Sequence, residues 1–190
     1  AGIPLNMVTD HGMSPRDSEV VVTAGAFLHD TGMSIHRADH EAYSLFLAER
    51  KLRELLDGVY EEPELTVVVS EALHCIIGHR RRGEPYTLEA GVVRVADALD
   101  MAQGRARIPV ERGEVGIHAI SAAAIDDVSI ERGEERPIRV MIRMNNSAGI
   151  FQVDDLLATK ISGTPLEGHI DFFFNDTATT EKRLLREFRI

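Results

Sequence analysis

A nearly continuous apolar segment that ends in two adjacent polar side chains limits the fold of this chain more than any other feature. The segment DSEVVVTAGAFLH runs from Asp17 to His29, and Asp30 follows it directly. Ser14 and Pro15 precede it, and these residue types suit the cap and the first turn of a helix. We therefore expect a buried helix that ends at the His29–Asp30 pair.

Three further segments in the first half of the chain also favour helices. Residues from about 38 to 56 carry apolar side chains at roughly helical spacing. The segment ELTVVVSEALHCIIGH follows Pro63; its valine and isoleucine run admits a strand, but its length and its neighbours favour a helix. Thr87 suits the cap of a fourth helix, TLEAGVVRVADALDMAQG, which Gly104 would end.

The second half of the chain has a different pattern. It contains turn-forming residues and alternating stretches such as PIRVMIRM, which predict a strand. We expect a helix at about 115–126 and another in FQVDDLLATKI. The predicted fold class is therefore mainly α, with a helical bundle at residues 1–112 and a small α+β subdomain at residues 113–190.

The run FFFNDTATTE, residues 172–181, is unusual for this composition. It places three aromatic residues together in a chain that is only 5% aromatic, and a polar threonine-rich stretch follows. The run resembles translated sequencing-adapter sequence, so we treat residues 172–181 as of doubtful origin and base no functional conclusion on them.

Composition excludes several classes of protein. No run approaches the roughly 18 to 20 apolar residues of a membrane helix, and no secretion signal opens the sequence, which together predict a cytoplasmic protein without membrane contact. Cys75 is the only cysteine, so a metal site would use histidine and carboxylate ligands. The formal net charge of -10 argues against a general nucleic-acid-binding surface.

The polar residues of the helical half form an ordered series. His29 and Asp30 alone are weak evidence, because a helix-end cap with a solvated histidine explains the pair better when it is considered by itself. His36 and His40 are four residues apart at the start of the second helix, where both can occupy one face, and His79 ends the third. Asp97 lies in an otherwise apolar helix, where it needs either a bound cation or a salt bridge to an arginine.

This series resembles the HD superfamily of metal-dependent phosphohydrolases. AGAFLHDTGM matches the helix with the His–Asp pair, HEAYS the next histidine-bearing helix, IIGHRRRGEP the helix-end histidine, and VVRVADALDMAQGRARIP the final aspartate helix. The resemblance covers residues 17–109 and implies an HD-type helical bundle. The rest is similar to the small C-terminal part of some archaeal and bacterial members.

The resemblance also implies roles for individual residues. His29, Asp30 and Asp97 would bind a divalent metal ion, of which Mn, Ni, Co, Fe, Zn and Mg suit the ligands. His40 and His79 would bind a second ion or face the substrate. The family's first metal-binding histidine lies on an earlier helix, whereas His11 here would lie in a loop. We therefore expect that the chain is a fragment that lacks that helix.

The implied reaction is hydrolysis of a phosphate ester or nucleotide by a metal-activated hydroxide. Asp30 would orient or deprotonate the water, and His40 and His79 complete the catalytic set. Arg37, Arg80, Arg105 and Arg107 are the candidates to bind the substrate phosphate; solvated surface arginines are the alternative for the last two.

Two other functions fit the same pattern. One is a catalytically inactive HD module that binds a nucleotide, and the other is an oligomeric scaffold. The expected partners are therefore a phosphorylated small molecule or nucleotide and, for the scaffold, further copies in a homo-oligomer.

Overall fold

The computed structural model describes residues 2–80, 83–101, 121, 123–151, 153 and 157–176. Contacts divide the chain into two compact units. The first, called the helical unit here, comprises residues 2–97 and 163–166, and the second comprises residues 98–162 and those from 167 onward.

The helical unit is built from five α-helices and one 3-10 turn among the described residues. These elements are α1 (Asn6–Thr9), α2 (Pro15–Leu28), the 3-10 turn Thr31–Ser34, α3 (His40–Leu56), α4 (Glu64–Gly78) and α5 (Leu88–Leu99). The predicted start of α2 is confirmed. The Asp17 carboxylate accepts a hydrogen bond from the backbone N–H of Ser14 at 2.8 Å, and Pro15 is the first helical residue.

The core of the helical unit lies where α2 packs against α4. Gly25 makes this close approach feasible, because a Cβ atom there would lie 2.5 Å from the Cβ of Cys75. Around this point Val21, Val68 and Val93 are buried. Burial also raises the pKa of the Cys75 thiol, so this cysteine is a packing residue rather than a reactive thiol.

The second unit contains a three-stranded sheet in the order β1 (Ile125–Arg132), β2 (Ile138–Met144) and β3 (Ile170–Asp176). β1 pairs with β2 antiparallel, and β2 pairs with β3 parallel. Val140 and Ile142 of β2 are fully buried. A short 3-10 turn, Ser147–Gly149, and the helix α6 (Thr159–Ile161) lie between β2 and β3.

The predicted fold class, mainly α with a small α+β part at the C-terminus, is confirmed. The strand in PIRVMIRM is β2, and the described residues of FQVDDLLATKI are helical. Two details were wrong. Ile125 and Asp126, predicted as the end of a helix, begin β1, where a register shift between Ile125 and Asp127 hides the alternation that marks a strand. The fourth predicted helix ends at Leu99 rather than at Gly104.

Within the described part of the chain, none of the helices has both the length and the hydropathy required to cross a lipid bilayer.

Candidate functional site

Five polar side chains converge from the ends of different helices of the helical unit. His29 is the residue after α2, Asp30 precedes the 3-10 turn, His40 begins α3, His79 follows α4 and Asp97 lies near the end of α5. We call this group the histidine cluster. The structure thus brings together all five residues that the sequence analysis singled out as metal ligands or catalytic residues.

Asp30 lies at the centre of the histidine cluster. Its Oδ2 atom is 3.5 Å from His29 Nε2, whereas its Oδ1 atom is 3.0 Å from His40 Nε2 and 3.6 Å from His79 Nε2. The same Nε2 atom of His29 also lies 3.8 Å from Asp97 Oδ1. One carboxylate oxygen of Asp30 therefore faces His29, and the other faces His40 and His79.

The three histidines share one orientation. In each, Nδ1 lies at hydrogen-bond distance from the carbonyl oxygen three residues earlier: Ala26 for His29, Arg37 for His40 and Ile76 for His79. Because a carbonyl oxygen only accepts hydrogen bonds, each Nδ1 must carry the proton in the neutral ring. Each Nε2 then presents a lone pair toward Asp30, which is the orientation that metal-binding histidines adopt.

Ser44 and Gly32 hold the turn that carries His29 and Asp30. The fully buried Ser44 hydroxyl donates to the carbonyl of His29 at 2.6 Å and accepts from the N–H of Gly32 at 2.8 Å. A Cβ atom on Gly32 would lie 2.0 Å from the carbonyl oxygen of His40, so only glycine permits this approach to α3. These contacts fix the His29–Asp30 turn against the start of α3.

Arg94, which the sequence analysis missed, holds the segment after α4. Its side chain comes from α5, and the residue is 3% exposed. One guanidinium nitrogen, Nη1, donates to the carbonyl oxygens of Gly78, Arg80 and Gly83. His79 lies inside this segment, so Arg94 fixes its position. The signal in the sequence was an arginine within the apolar stretch VVRVAD.

Arg94 also interacts with Asp97. Burial lowers the pKa of the Arg94 guanidinium, and the negative charge of Asp97 opposes that shift. The sequence analysis considered a bound cation or an arginine as the partner of Asp97, and the structure shows the charge of Arg94 acting on Asp97, with His29 as a further neighbour.

The four predicted phosphate-binding arginines have different outcomes. Arg37 is exposed and lies shortly before His40, and Arg80 is exposed and directly follows His79. Neither arginine forms an ion pair with a carboxylate of the described residues. Arg105 and Arg107 lie outside the described residues.

The remaining histidines of the described first half lie away from the histidine cluster. His11 contacts Glu71 at 3.1 Å, and the ring of His74 stacks on Tyr86. His36 was expected to share a helix face with His40, but α3 begins only at His40, and His36 is exposed and bonded to Ala38. Helical spacing predicted a shared face that the turn before α3 prevents.

Glu41 is a second residue that sequence reasoning passed over. Its side chain is 16% exposed, and Oε2 lies 3.6 Å from His40 Nδ1. The helical unit contains two compact sets of three possible ligand atoms, and within each set the atoms lie within 4.8 Å of one another. One set comes from His29, Asp30 and His79, and the other from His40, Glu41 and His79.

The donor set fits a divalent transition-metal ion. Imidazole nitrogens and carboxylate oxygens suit Mn, Fe, Co, Ni and Zn, and three lone pairs already point at one carboxylate. The Asp30 side chain is 45% exposed, whereas the three histidine side chains are 4–22% exposed. A small molecule would therefore approach the site from the Asp30 side.

Comparison with known proteins gives a match to the HD domain family over residues 5–102, a range that contains the whole histidine cluster. An uncharacterized protein of Methanocaldococcus jannaschii is 38% identical over 172 residues. That alignment covers 90% of this chain and 66% of the relative, so the chain spans slightly less than two thirds of the relative's length. No solved structure matches this chain.

Proposed function

Because the chain belongs to the HD domain family, a superfamily of metal-dependent phosphohydrolases, we propose that it hydrolyses a phosphate ester or nucleotide with the help of a divalent ion. The observation that carries this proposal is the shared orientation of His29, His40 and His79. Each of these imidazoles has its Nδ1 atom at hydrogen-bond distance from a backbone carbonyl and directs Nε2 toward the Asp30 carboxylate, as histidines that bind a metal ion do.

In this proposal His29, Asp30 and Asp97 bind the ion. The contacts between His29 and the two carboxylates, 3.5 Å and 3.8 Å, support this set. A bound ion would lower the pKa of a coordinated water and polarise a phosphoryl oxygen. Mn, Ni, Co, Fe, Zn and Mg are all candidates, with the histidine share favouring the transition metals.

The other polar groups act on the substrate. Asp30, the most exposed carboxylate of the histidine cluster, orients the attacking water and accepts its proton. His40 and His79 complete the catalytic set, either as ligands of a second ion or as hydrogen-bonding groups for the substrate. Arg37 and Arg80 provide positive charge for the phosphoryl oxygens. Arg105 and Arg107 remain proposed members of the same set.

Metal analysis combined with a hydrolysis assay tests the proposal. The purified chain is assayed with added Mn, Ni or Co against p-nitrophenyl phosphate, bis-p-nitrophenyl phosphate and a panel of nucleotides. We expect phosphate release that depends on the added ion, and we expect His29→Ala and Asp97→Ala to lose both bound metal and activity. His74→Ala, which removes a histidine of α4 outside the cluster, is the matched control.

The outcomes separate the alternatives. Unchanged metal content in His29→Ala contradicts the ligand assignment. Metal binding without turnover of any compound favours a binding module over an enzyme. A chain that binds no transition metal under these conditions contradicts the proposal as a whole.

A further inference from the structure

One side of helix α2 is left uncovered by the described residues of the helical unit. The sequence of α2 is apolar nearly all round, and a helix of that kind is normally buried on every side. Here only one side is buried, where Val21 and Gly25 lie against α4. On the opposite side Phe27 is 81% exposed. We call this opposite side, from Arg16 to Phe27, the α2 face.

Two grooves lie along the α2 face. The larger has a volume of about 450 Å³ and lies between α2 and α3, with Val20 and Leu55 among its lining residues. The smaller, of about 330 Å³, lies on the side of α5 and includes Val92. Glu19 and Thr23 line both grooves, so they form the ridge between them. The apolar surface is therefore continuous from α3 across α2 to α5.

The α2 face differs from single exposed apolar residues, which are normal on protein surfaces. Phe27 and Leu55, which is 59% exposed, line the same groove and form one patch. Phe46 of α3 is 77% exposed as well, but it lines neither groove. Contiguous apolar surface with a polar rim marks an interaction site, whereas an isolated residue such as Phe46 does not.

The charges of the α2 face favour a second copy of this chain as the occupant. The formal net charge of -10 makes two copies repel each other in most orientations. The larger groove is lined by one basic residue, Arg16, and one acidic residue, Glu19, and neither forms an ion pair with another described residue. These two charges cancel, so two copies of this acidic chain can meet at the α2 face without the repulsion that acts elsewhere.

The shape of the α2 face is self-complementary. In a two-fold interface the same patch of both partners meets, so one surface must offer both a projection and a cavity. Phe27 is the projection, and the groove between α2 and α3 is the cavity. Thr23 on the ridge has a small side chain, which allows two α2 helices to approach closely.

We propose that the α2 face is the interface of a homodimer with two-fold symmetry, in which Phe27 of each copy enters the groove between α2 and α3 of the other. Thr23 then lies next to Thr23 of the partner subunit. The inference goes beyond the proposed function and does not depend on it, because none of the residues that line the groove belongs to the histidine cluster.

Sedimentation equilibrium of the whole chain, from micromolar to submillimolar concentration, tests the interface. We expect a monomer–dimer equilibrium in the wild type. Phe27→Glu and Leu55→Glu should each weaken the dimer at least about tenfold, because each places a charge in the apolar contact. Phe46→Glu, the same change at an exposed phenylalanine outside the grooves, is the matched control and should keep the wild-type affinity. Circular dichroism checks that each variant is folded.

Cross-linking tests the two-fold arrangement. Cys75 is the one cysteine of the chain and is fully buried, so a cysteine introduced on the surface is the reactive thiol. Thr23→Cys should form a disulfide-linked dimer under mild oxidation, because the ridge lies near the two-fold axis. Arg50→Cys, at a side chain that is 85% exposed and lines neither groove, is the control and should remain monomeric on a denaturing gel.

A wild-type chain that stays monomeric over the whole concentration range overturns the inference and favours a different protein as the occupant of the groove. A dimer whose affinity is unchanged in Phe27→Glu overturns it as well. So does a dimer in which Thr23→Cys forms no cross-link, since its interface then lies elsewhere. Each of these results leaves the proposed hydrolysis standing, because no residue of the histidine cluster is changed.

Discussion

Helix α5 carries one carboxylate near each end, and their surroundings differ in kind. Glu89, in the first turn, is 1% exposed and accepts hydrogen bonds from Met7 N–H at 3.1 Å and Ser18 Oγ at 2.8 Å, with Asn6 N–H at 3.3 Å on its other oxygen. In return, the Asn6 side chain accepts from the N–H of Leu88 at 2.8 Å. We call this group the Glu89 cluster.

Asp97, near the other end, faces the Nε2 lone pair of His29 and the charge of Arg94. Asp30 next to it faces three imidazole nitrogens. The difference teaches how to separate a carboxylate that serves the fold from one that serves a site. In the Glu89 cluster neutral donors surround the carboxylate, whereas in the histidine cluster imidazole nitrogens and carboxylate oxygens, which are ligand types of transition-metal ions, face each other.

The largest effect on stability should come from the Glu89 cluster. Glu89→Ala is expected to lower the free energy of unfolding by about 3 kcal/mol, because the buried donors of Asn6, Met7 and Ser18 lose their acceptor. Urea denaturation followed by circular dichroism measures the change. The exposed Glu84→Ala is the control and should stay within about 0.5 kcal/mol of wild type. If Glu89→Ala and Glu84→Ala lowered the free energy of unfolding equally, the buried hydrogen bonds of Glu89 would not stabilise the fold as proposed.

Arg94→Met should have the next largest effect. The substitution leaves three carbonyl oxygens, those of Gly78, Arg80 and Gly83, without this donor, and we expect a loss of about 2 kcal/mol in the free energy of unfolding. Because the same segment holds His79, metal affinity should fall as well. Arg50→Met, at a side chain that is 85% exposed, is the control. Lost stability with wild-type metal affinity would show that Arg94 does not position His79.

Tyr60→Phe should cost about 1 kcal/mol at neutral pH, because the Tyr60 hydroxyl donates to Asp17 Oδ1 at 2.6 Å. This hydrogen bond lowers the pKa of Asp17. The pKa of Tyr60 is raised to about 12, chiefly by burial and to a smaller extent by the same hydrogen bond. Asp17 contributes to the free energy of unfolding at pH values above its ordinary pKa of 3.8. This contribution is lost as the pH falls through the lower pKa that Asp17 has in the folded chain. The contribution of Tyr60 to the free energy of unfolding is present at pH values below its ordinary pKa of 10.0, and it is lost as the pH rises through the folded pKa of about 12.

The difference in unfolding free energy between wild type and Tyr60→Phe should therefore shrink toward both extremes of pH. Tyr86→Phe, at a residue that is 77% exposed, should show no such profile. A difference that stays constant from neutral pH to below the ordinary pKa of aspartate would contradict the proposed link to Asp17.

The smallest effect on stability should come from the centre of the histidine cluster. Asp30→Asn is expected to change the free energy of unfolding of the metal-free chain by no more than about 0.5 kcal/mol, since the side chain of Asp30 is 45% exposed. The rise in melting temperature on addition of Mn or Co should disappear in this variant. A large loss of stability without metal would mean that the cluster is structural.

Much of the helical unit could be predicted because its signals are local. The apolar run of α2, the Ser14–Pro15 start and the Val- and Ile-rich α4 each lie within one segment of the printed sequence. In the second unit the same approach identified β2 but not β1, because a bulge at Ile125 breaks the alternation on which a strand prediction depends.

For the candidate site, the sequence determined which residue types are present and in what order: a His–Asp pair, two later histidines and an aspartate in an apolar helix. That order was sufficient for the family, since it depends on chain positions alone. It could not give the direction of any side chain.

The tertiary structure decided the rest, because the remaining contacts join residues from different helices. Only the packing of α5 against the end of α4 places Arg94 on the carbonyls around His79, and only the turn before α3 separates His36 from His40. Three backbone carbonyls direct the imidazoles. Glu41 differs from the other glutamates of α3 in its neighbours, not in its local sequence, and neighbours are a property of the fold.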